Sequence, residues 1–486
     1  MAKKNVILLI IDTLMLPFLK KAVDNKMAPA FAFFMKHGTA SEIISPFPTM
    51  SVNVESSLLT GHYSDVHHVP GLVWFHDEEK RLINYGTNAS ELLQLGLATS
   101  LKDPLYNINH EHLNKKAATI FEELSKKGKN SASINGLLYR GSQEKVMQLP
   151  FLLSLLPTFH RSLTVKGPDL LTYGSFIKQN PFAKYGHFWQ RFGFNNRFSA
   201  QELIYLIKNH SLPPFTMVYF PDMDQIIHKK GVEDLSGIVK TDRELQKVLD
   251  SFHSWEEALK NNVWIIMGDN GQAVVRPRNQ NPLIHLEKLL SPYRITKLSK
   301  GVRKDDDIVL AVNQRMAFVY LLQPNHSLEE IANILKTDAR IDVIAWREEE
   351  KIKVVSGRRE GMLMFKKGGQ WEDPYGSMWT LNGDIEVLDI FTEGSRIKYG
   401  EYPDALARLH AAALSHKGQF LMISAYPGFE FKYGSSPVHV GGASHGGLHQ
   451  HDSLAAIIVS GTEQLPKYNR MIDVKDWILS MLDSYS

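Results

Sequence analysis

Cysteine is absent from all 486 residues, which excludes disulfides and thiolate-bound metal. Any ion this chain holds must be held by oxygen and imidazole. An excess of one sign of charge is missing too. The 55 basic and 52 acidic residues leave a net +3, too little for a global field drawing in nucleic acid or an anionic membrane. No apolar run is long enough to cross a bilayer. The first of them, Val6–Ile11, is also too short for the core of a signal peptide, so it reads as a strand and the expected location is cytoplasmic. Internal repeats and low-complexity segments are lacking as well. What remains is a globular composition, 43% hydrophobic and 22% charged, in a chain longer than one simple core usually holds. Histidine stands in modest excess, at 20.

Val6–Ile11 is a continuous aliphatic run, the pattern of a strand buried on both faces. Helical patterns over Ala117–Lys127, Leu203–Ile207, Asp242–Leu259 and Asp404–Leu414 alternate with strand-like runs at Ser131–Leu138, Thr216–Phe220, Val263–Met267, Phe420–Ile423 and Leu454–Val459. This alternation predicts an α/β fold with a doubly wound, mostly parallel sheet flanked by helices. Two stretches break it. Residues 143–200 are irregular and rich in Phe, Leu, Pro and Asn. Residues 275–380 carry mixed charges, many glycines and short β-prone runs at Ile308–Val312, Met316–Leu321 and Ile352–Val355. The expected division is a core of 1–142, 201–274 and 381–486, with cap insertions at 143–200 and 275–380 that shape access to a site.

Asp12 and Asp269 each follow a strand-like run, and parallel sheets place their sites at the carboxyl ends of strands. Ser51 opens a helix-compatible stretch that runs to Thr60-Gly61. A hydroxyl at a helix N-terminus sees free N–H groups and the positive end of the dipole, which favour an alkoxide and an incoming phosphate. The plainest role of a serine there is an N-cap. Asp224 and His228 are four apart, so one helical face presents both to a single ion; Asp222 is the rival carboxylate. Asn270 follows Asp269, and His445 lies in a glycine-flanked cluster that offers His449 as the alternative ligand. Trp74 and Phe75 are candidates to stack a flat substrate group, although buried aromatics more often belong to the core. Acidic and imidazole groups gathered around one hydroxyl are what a dinuclear metal site needs to attack a phosphate ester.

The run Pro48-Thr49-Met50-Ser51, with Thr60-Gly61 beginning nine residues after the hydroxyl, resembles the type I phosphodiesterase/nucleotide pyrophosphatase family of the alkaline phosphatase superfamily. Tyr63 and His67 continue the match, while Ser64 and His68 depart from it. The resemblance implies an alkaline phosphatase-like fold with Ser51 as nucleophile. It implies a first metal held by Asp224, His228 and His445, and a second by Asp12, Ser51, Asp269 and Asn270. Asn270 stands where the family has histidine. The two divalent ions implied are zinc or manganese foremost, and the oxygen-dominated second site leans towards manganese, magnesium or calcium. Leu72 falls where the family has a phosphate-contacting asparagine; His68 and His76 are candidate replacements. The implied reaction is hydrolysis of phosphoesters or phosphoanhydrides through a phosphoseryl-type intermediate. The partners expected are a small-molecule phosphoester, nucleotide or phosphonate, and no sequence-specific nucleic acid. The sulfatase signature is absent, because the residues after Ser51 lack its Pro and Arg. Two alternatives stay open: a phosphonoacetate-type hydrolase, and a binding protein that retains the fold without turnover.

Overall fold

The computed structural model describes residues 4–86, 101–149, 161–297 and 301–484. Residues 150–160 of the first expected insertion lie outside them.

Asn5–Ile11 is central to a seven-stranded sheet because each of its aliphatic side chains has a core to enter. Val6, Leu8 and Ile10 pack into one hydrophobic cluster, and Ile7, Leu9 and Ile11 into another. The strand order is Gly38–Ile44, Leu454–Ser460, Asn262–Gly268, Asn5–Ile11, Phe215–Phe220, Ser131–Ile134, Leu170–Thr172. All run parallel except Leu454–Ser460, which is antiparallel to both neighbours. The helices Leu16–Asp24, Pro29–Lys36, Asn196–Lys208 and Ser236–Leu249 share one cluster; Ser51–Thr60, Ile120–Lys126 and Val474–Ser484 share the other. The sheet is therefore doubly wound, as the alternating pattern predicts. Among the described residues no helix is long and apolar enough to cross a membrane.

A second sheet of nine strands is antiparallel apart from one pairing, Leu363–Glu372 with Arg396–Tyr399. One of its faces, including Val309, Ala311, Phe318 and Met422, enters the same core as the helix Ser51–Thr60; the other is covered by Leu328–Leu335.

Several boundaries differ from the sequence expectation, each for a local reason. Asp242–Leu259 is two helices, Ser236–Leu249 and Trp255–Asn261, because Ser254 is extended and caps the second by accepting the Glu257 N–H. The helix expected from Ala117 starts at Ile120, where Thr119 and Glu122 form a capping box. The strand from Ser131 ends at Ile134, before Asn135 turns at φ +60°. Leu170–Thr172, inside the first expected insertion, forms an edge of the central sheet. Gln419–Ala425, expected in the core, pairs between Met316–Leu321 and Ile341–Glu348 in the second sheet. That sheet thus draws on chain from both sides of residue 380.

Candidate active site

The parallel strands carry their following loops to one edge, and the antiparallel Leu454–Ser460 delivers its preceding loop there. Asp12 follows the first strand, Ser51 lies beyond Gly38–Ile44, the helix Asp222–Lys230 follows Phe215–Phe220, and Asp269 follows Asn262–Gly268. His445 precedes Leu454. They meet around a cavity of about 790 Å³ lined by Asp12, Ser51, Asp224, His228 and His445.

Ser51 is the first residue of a ten-residue helix whose other nine residues are buried. Its first ladder bond runs from Val54 N–H to Met50 O, so the N–H groups of Ser51, Val52 and Asn53 precede the ladder at the cavity end. Beneath the serine, Asp269 is fully buried, with Oδ1 accepting the Thr13 N–H at 2.8 Å and Oδ2 without a hydrogen-bond partner among the described residues. Burial pushes its carboxyl up to about 6, against the Thr13 N–H and the Ser51 hydroxyl, which pull it down. Burial also holds Asp12 well above the usual carboxylate range, and the Asp269 and Asp224 charges raise it further. Tyr219 donates its hydroxyl to Asp12 Oδ2 at 2.6 Å. Crowded carboxylates with an orphaned buried oxygen favour a cation.

Asp224 Oδ1 lies 3.0 Å from His228 Nε2 and 3.7 Å from His445 Nε2, and the three ligand atoms fall within 4.8 Å of one another. Each histidine's Nδ1 is engaged by a backbone carbonyl, His228 on Ala443 and His445 on Thr49, both at 2.7 Å. That contact fixes both rings with Nε2 towards the cluster, the arrangement a metal-binding histidine takes. Burial alone would raise Asp224, yet the two imidazoles outweigh it and hold the carboxyl below its usual range. Burial pulls His445 down to about 4; for His228 the Asp224 carboxylate overcomes burial and raises the imidazole. These residues fit a divalent ion bound by one carboxylate and two imidazoles. Asp12, Asp269, Asn270 and Ser51 offer only oxygen, a set for a harder cation.

Other candidates lie elsewhere. Asp222 accepts Arg191 and the Asn196 N–H, away from His228. His449 caps the short helix Gln450–Ser453, with its Nε2 3.6 Å from Glu401. Leu72 does line the cavity, as an apolar wall. Trp74 instead packs on His76, His112 and His416 around a separate cavity that also takes in His68 and His76. Phe75 is buried against Tyr320. Tyr63 donates to Asp404, and His67 bonds Ser57 while its Nδ1 accepts the Val69 N–H, so both secure the turn after the helix Ser51–Thr60. Sequence reasoning missed His439, which stacks on His228 at 3.9 Å between centroids, and the hydrogen-bonding roles of Thr13, Tyr219 and Gln272. Thr13 follows Asp12 and Gln272 lies two residues after Asn270, which was the available signal for those two; Tyr219 sits inside the Phe215–Phe220 strand.

A doubly wound sheet with carboxylates and imidazoles facing a helix-borne serine at its carboxyl edge defines an alkaline phosphatase-like protein. Within that class the chain belongs to the type I phosphodiesterase / nucleotide pyrophosphatase family, whose profile matches residues 6–362. A search of curated proteins finds no match. Solved structures share the fold at low identity. Human ectonucleotide pyrophosphatase/phosphodiesterase 5 is 14% identical with a TM-score of 0.58, over 99% of this chain and 95% of that one. Phosphonoacetate hydrolase from Sinorhizobium meliloti, solved with phosphonoformate, is 15% identical with a TM-score of 0.60, over 99% and 96%. An inactive variant of murine ectonucleotide pyrophosphatase/phosphodiesterase 5, solved with AMP, is 12% identical with a TM-score of 0.58, over 99% and 95%.

Proposed function

We propose that this protein hydrolyses small phosphoesters or phosphoanhydrides through a covalent intermediate on Ser51. The observation that carries the reading is that Ser51 shares one cavity with the Asp224–His228–His445 cluster. Asp224, His228 and His445 would hold one divalent cation, and Asp12, Asp269, Asn270 and Ser51 a second. When bound, such ions neutralise phosphate charge and lower the pKa of a coordinated hydroxyl. The chain's own part is positioning. The nucleophile helix presents the Ser51 oxygen and its first-turn N–H groups to the phosphate together, so its dipole end favours both alkoxide and anion. Ser51 Oγ gives up its proton and forms the new O–P bond as the substrate's leaving oxygen departs with its electron pair and takes up a proton; water then cleaves the seryl ester, its oxygen going to the phosphorus and a proton returning to Ser51. Leu72 and Leu137 give the cavity an apolar wall, while Arg191 and Lys229 supply positive charge at its lining.

The test is hydrolysis of bis-p-nitrophenyl phosphate, p-nitrophenyl phosphate and phosphonoacetate with Mn2+, Zn2+ or Mg2+. Turnover of at least one phosphoester is expected, with Ser51→Ala slower by more than about a hundredfold. Unchanged turnover in Ser51→Ala refutes the nucleophile, and cleavage of phosphonoacetate alone makes the protein a phosphonate hydrolase.

A further inference from the structure

Thr13 is a β-branched residue in the left-handed region, at φ +66°, and it is completely buried. Side chains of this type avoid that conformation, and strain of this kind concentrates at functional sites. Here the strained residue touches all the acidic ligands. Its N–H donates to Asp269 Oδ1 at 2.8 Å. Its hydroxyl lies 3.3 Å from Asp12 Oδ1, 3.2 Å from Asp224 Oδ1 and 3.3 Å from Asn270 Oδ1. One hydroxyl has one proton, so it satisfies a single one of these oxygens at a time. Gln272, also buried, donates its amide to Thr13 Oγ1 at 3.1 Å and to Asp224 Oδ1 at 2.6 Å. The Thr13–Gln272 pair therefore spans the gap between the oxygen set and the imidazole set, which share no other side chain that touches both Asp12 and Asp224 among the described hydrogen bonds.

We propose that Thr13, backed by Gln272, is a positioning residue that holds the two halves of the cation centre at a fixed spacing. The proposal rests on the functional reading above, in that it takes those two sets of residues as cation ligands. Supporting groups behind first ligands commonly change metal affinity by about 10–100-fold. A threonine is suited to the place because its methyl fixes the side-chain rotamer while its hydroxyl reaches the ligands. The backbone strain is then the cost of placing that hydroxyl there.

Calorimetric titration with Mn2+ and with Zn2+, and thermal melting without metal, test it on the full-length wild type and on Thr13→Gly, Thr13→Val, Thr13→Ser and Gln272→Met. Thr13→Gly should melt no lower than wild type, since glycine accepts this φ freely, yet bind at least one ion about tenfold more weakly. Thr13→Val keeps shape and strain without the hydroxyl and should show the same loss of affinity, as should Gln272→Met. Thr13→Ser should bind as wild type does. Wild-type affinity in the valine protein, or failure of serine to preserve binding, overturns the bridge while leaving the hydrolase reading in place. A wild type that takes up neither ion overturns both.

Discussion

In the proposed reading, Asn270 sets the character of the oxygen half-site. Its Oδ1 lies near Thr13 Oγ1, and its buried Nδ2 has no partner. An amide oxygen is a neutral, hard donor, whereas imidazole suits zinc. Asn270→His should therefore raise affinity for Zn2+ relative to Mn2+ by about tenfold or more, read by competition titration; an unchanged ratio would remove Asn270 from the ligand set. Glu55, one helical turn after Ser51, raises a separate question at this scale. It is fully buried, with Oε2 accepting the Leu138 N–H at 2.9 Å and Oε1 unpartnered. Burial pushes its carboxyl from 4.5 up to about 8. The folded protein then retains a proton that the unfolded chain has lost, so stability is fully present below pH 4.5 and declines as pH rises towards 8. Glu55→Gln should remove this part of the pH dependence, making the variant more stable than wild type at pH 8.5 by on the order of a few kcal/mol and similar to it near pH 4.5. Urea unfolding at both pH values is the check. Parallel curves for the two proteins would show that Glu55 is not the titrating group.

The helix Ser51–Thr60 shows what an element needs beyond its own residues. Its start and stop are legible in sequence, from the extended approach before Ser51 to Gly61, which takes φ +72° as a left-handed cap. Its burial is not legible, because Asn53, Glu55, Ser56, Ser57 and Thr60 are all inside the protein. Each polar side chain finds a bond whose partner the sequence pattern does not reveal: Ser56 and Thr60 return to carbonyls four residues back, and Ser57 meets His67. At the far end, Lys475 from the last helix donates to Thr60 O at 3.1 Å and Ala118 O at 2.8 Å. The Thr60 contact sets a charged donor on a carbonyl at the helix C-terminus, favourable both as hydrogen bonding and against the dipole, while the Ala118 contact ties that end to the segment before Ile120–Lys126. Lys475→Met should cost about 1–3 kcal/mol in denaturant unfolding and leave Mn2+ affinity at the opposite end of the helix unchanged. Loss of metal binding with no loss of stability would contradict this assignment.

For the whole molecule, the two sheets are joined behind the Asp224–His228–His445 cluster. Arg315, in the turn between Ile308–Asn313 and Met316–Leu321 of the second sheet, is fully buried and donates to Asp452 Oδ1 at 2.8 Å. Its other nitrogens reach the carbonyls of Ala425, Tyr426 and Phe429, and its backbone N–H donates to His445 O at 3.0 Å. The second sheet thus fixes the loop that carries His445. Arg315→Met should destabilise by about 3–5 kcal/mol, because Asp452 is left as a buried unpaired charge, and adding Asp452→Asn should recover part of that loss. Denaturant midpoints for the single and double variants decide it; equal losses would show that the charge is not the cause.

What the sequence alone determined was local. Two-sided aliphatic runs dictated a central parallel sheet, since such strands are stable only when covered on both faces, and the residues just beyond them included Asp12 and Asp269. The four-residue spacing of Asp224 and His228 followed from helical geometry. The tertiary structure alone decided the rest. It placed His445, not His449, beside Asp224 and His228, because one ring is held by the Thr49 carbonyl and the other caps a helix near Glu401. It sent Trp74 and Phe75 away from the cavity, placed Gln419–Ala425 in the second sheet, and put Thr13 between the carboxylates. These outcomes depend on which distant segments share a wall, and short-range pattern carries no information about that distance.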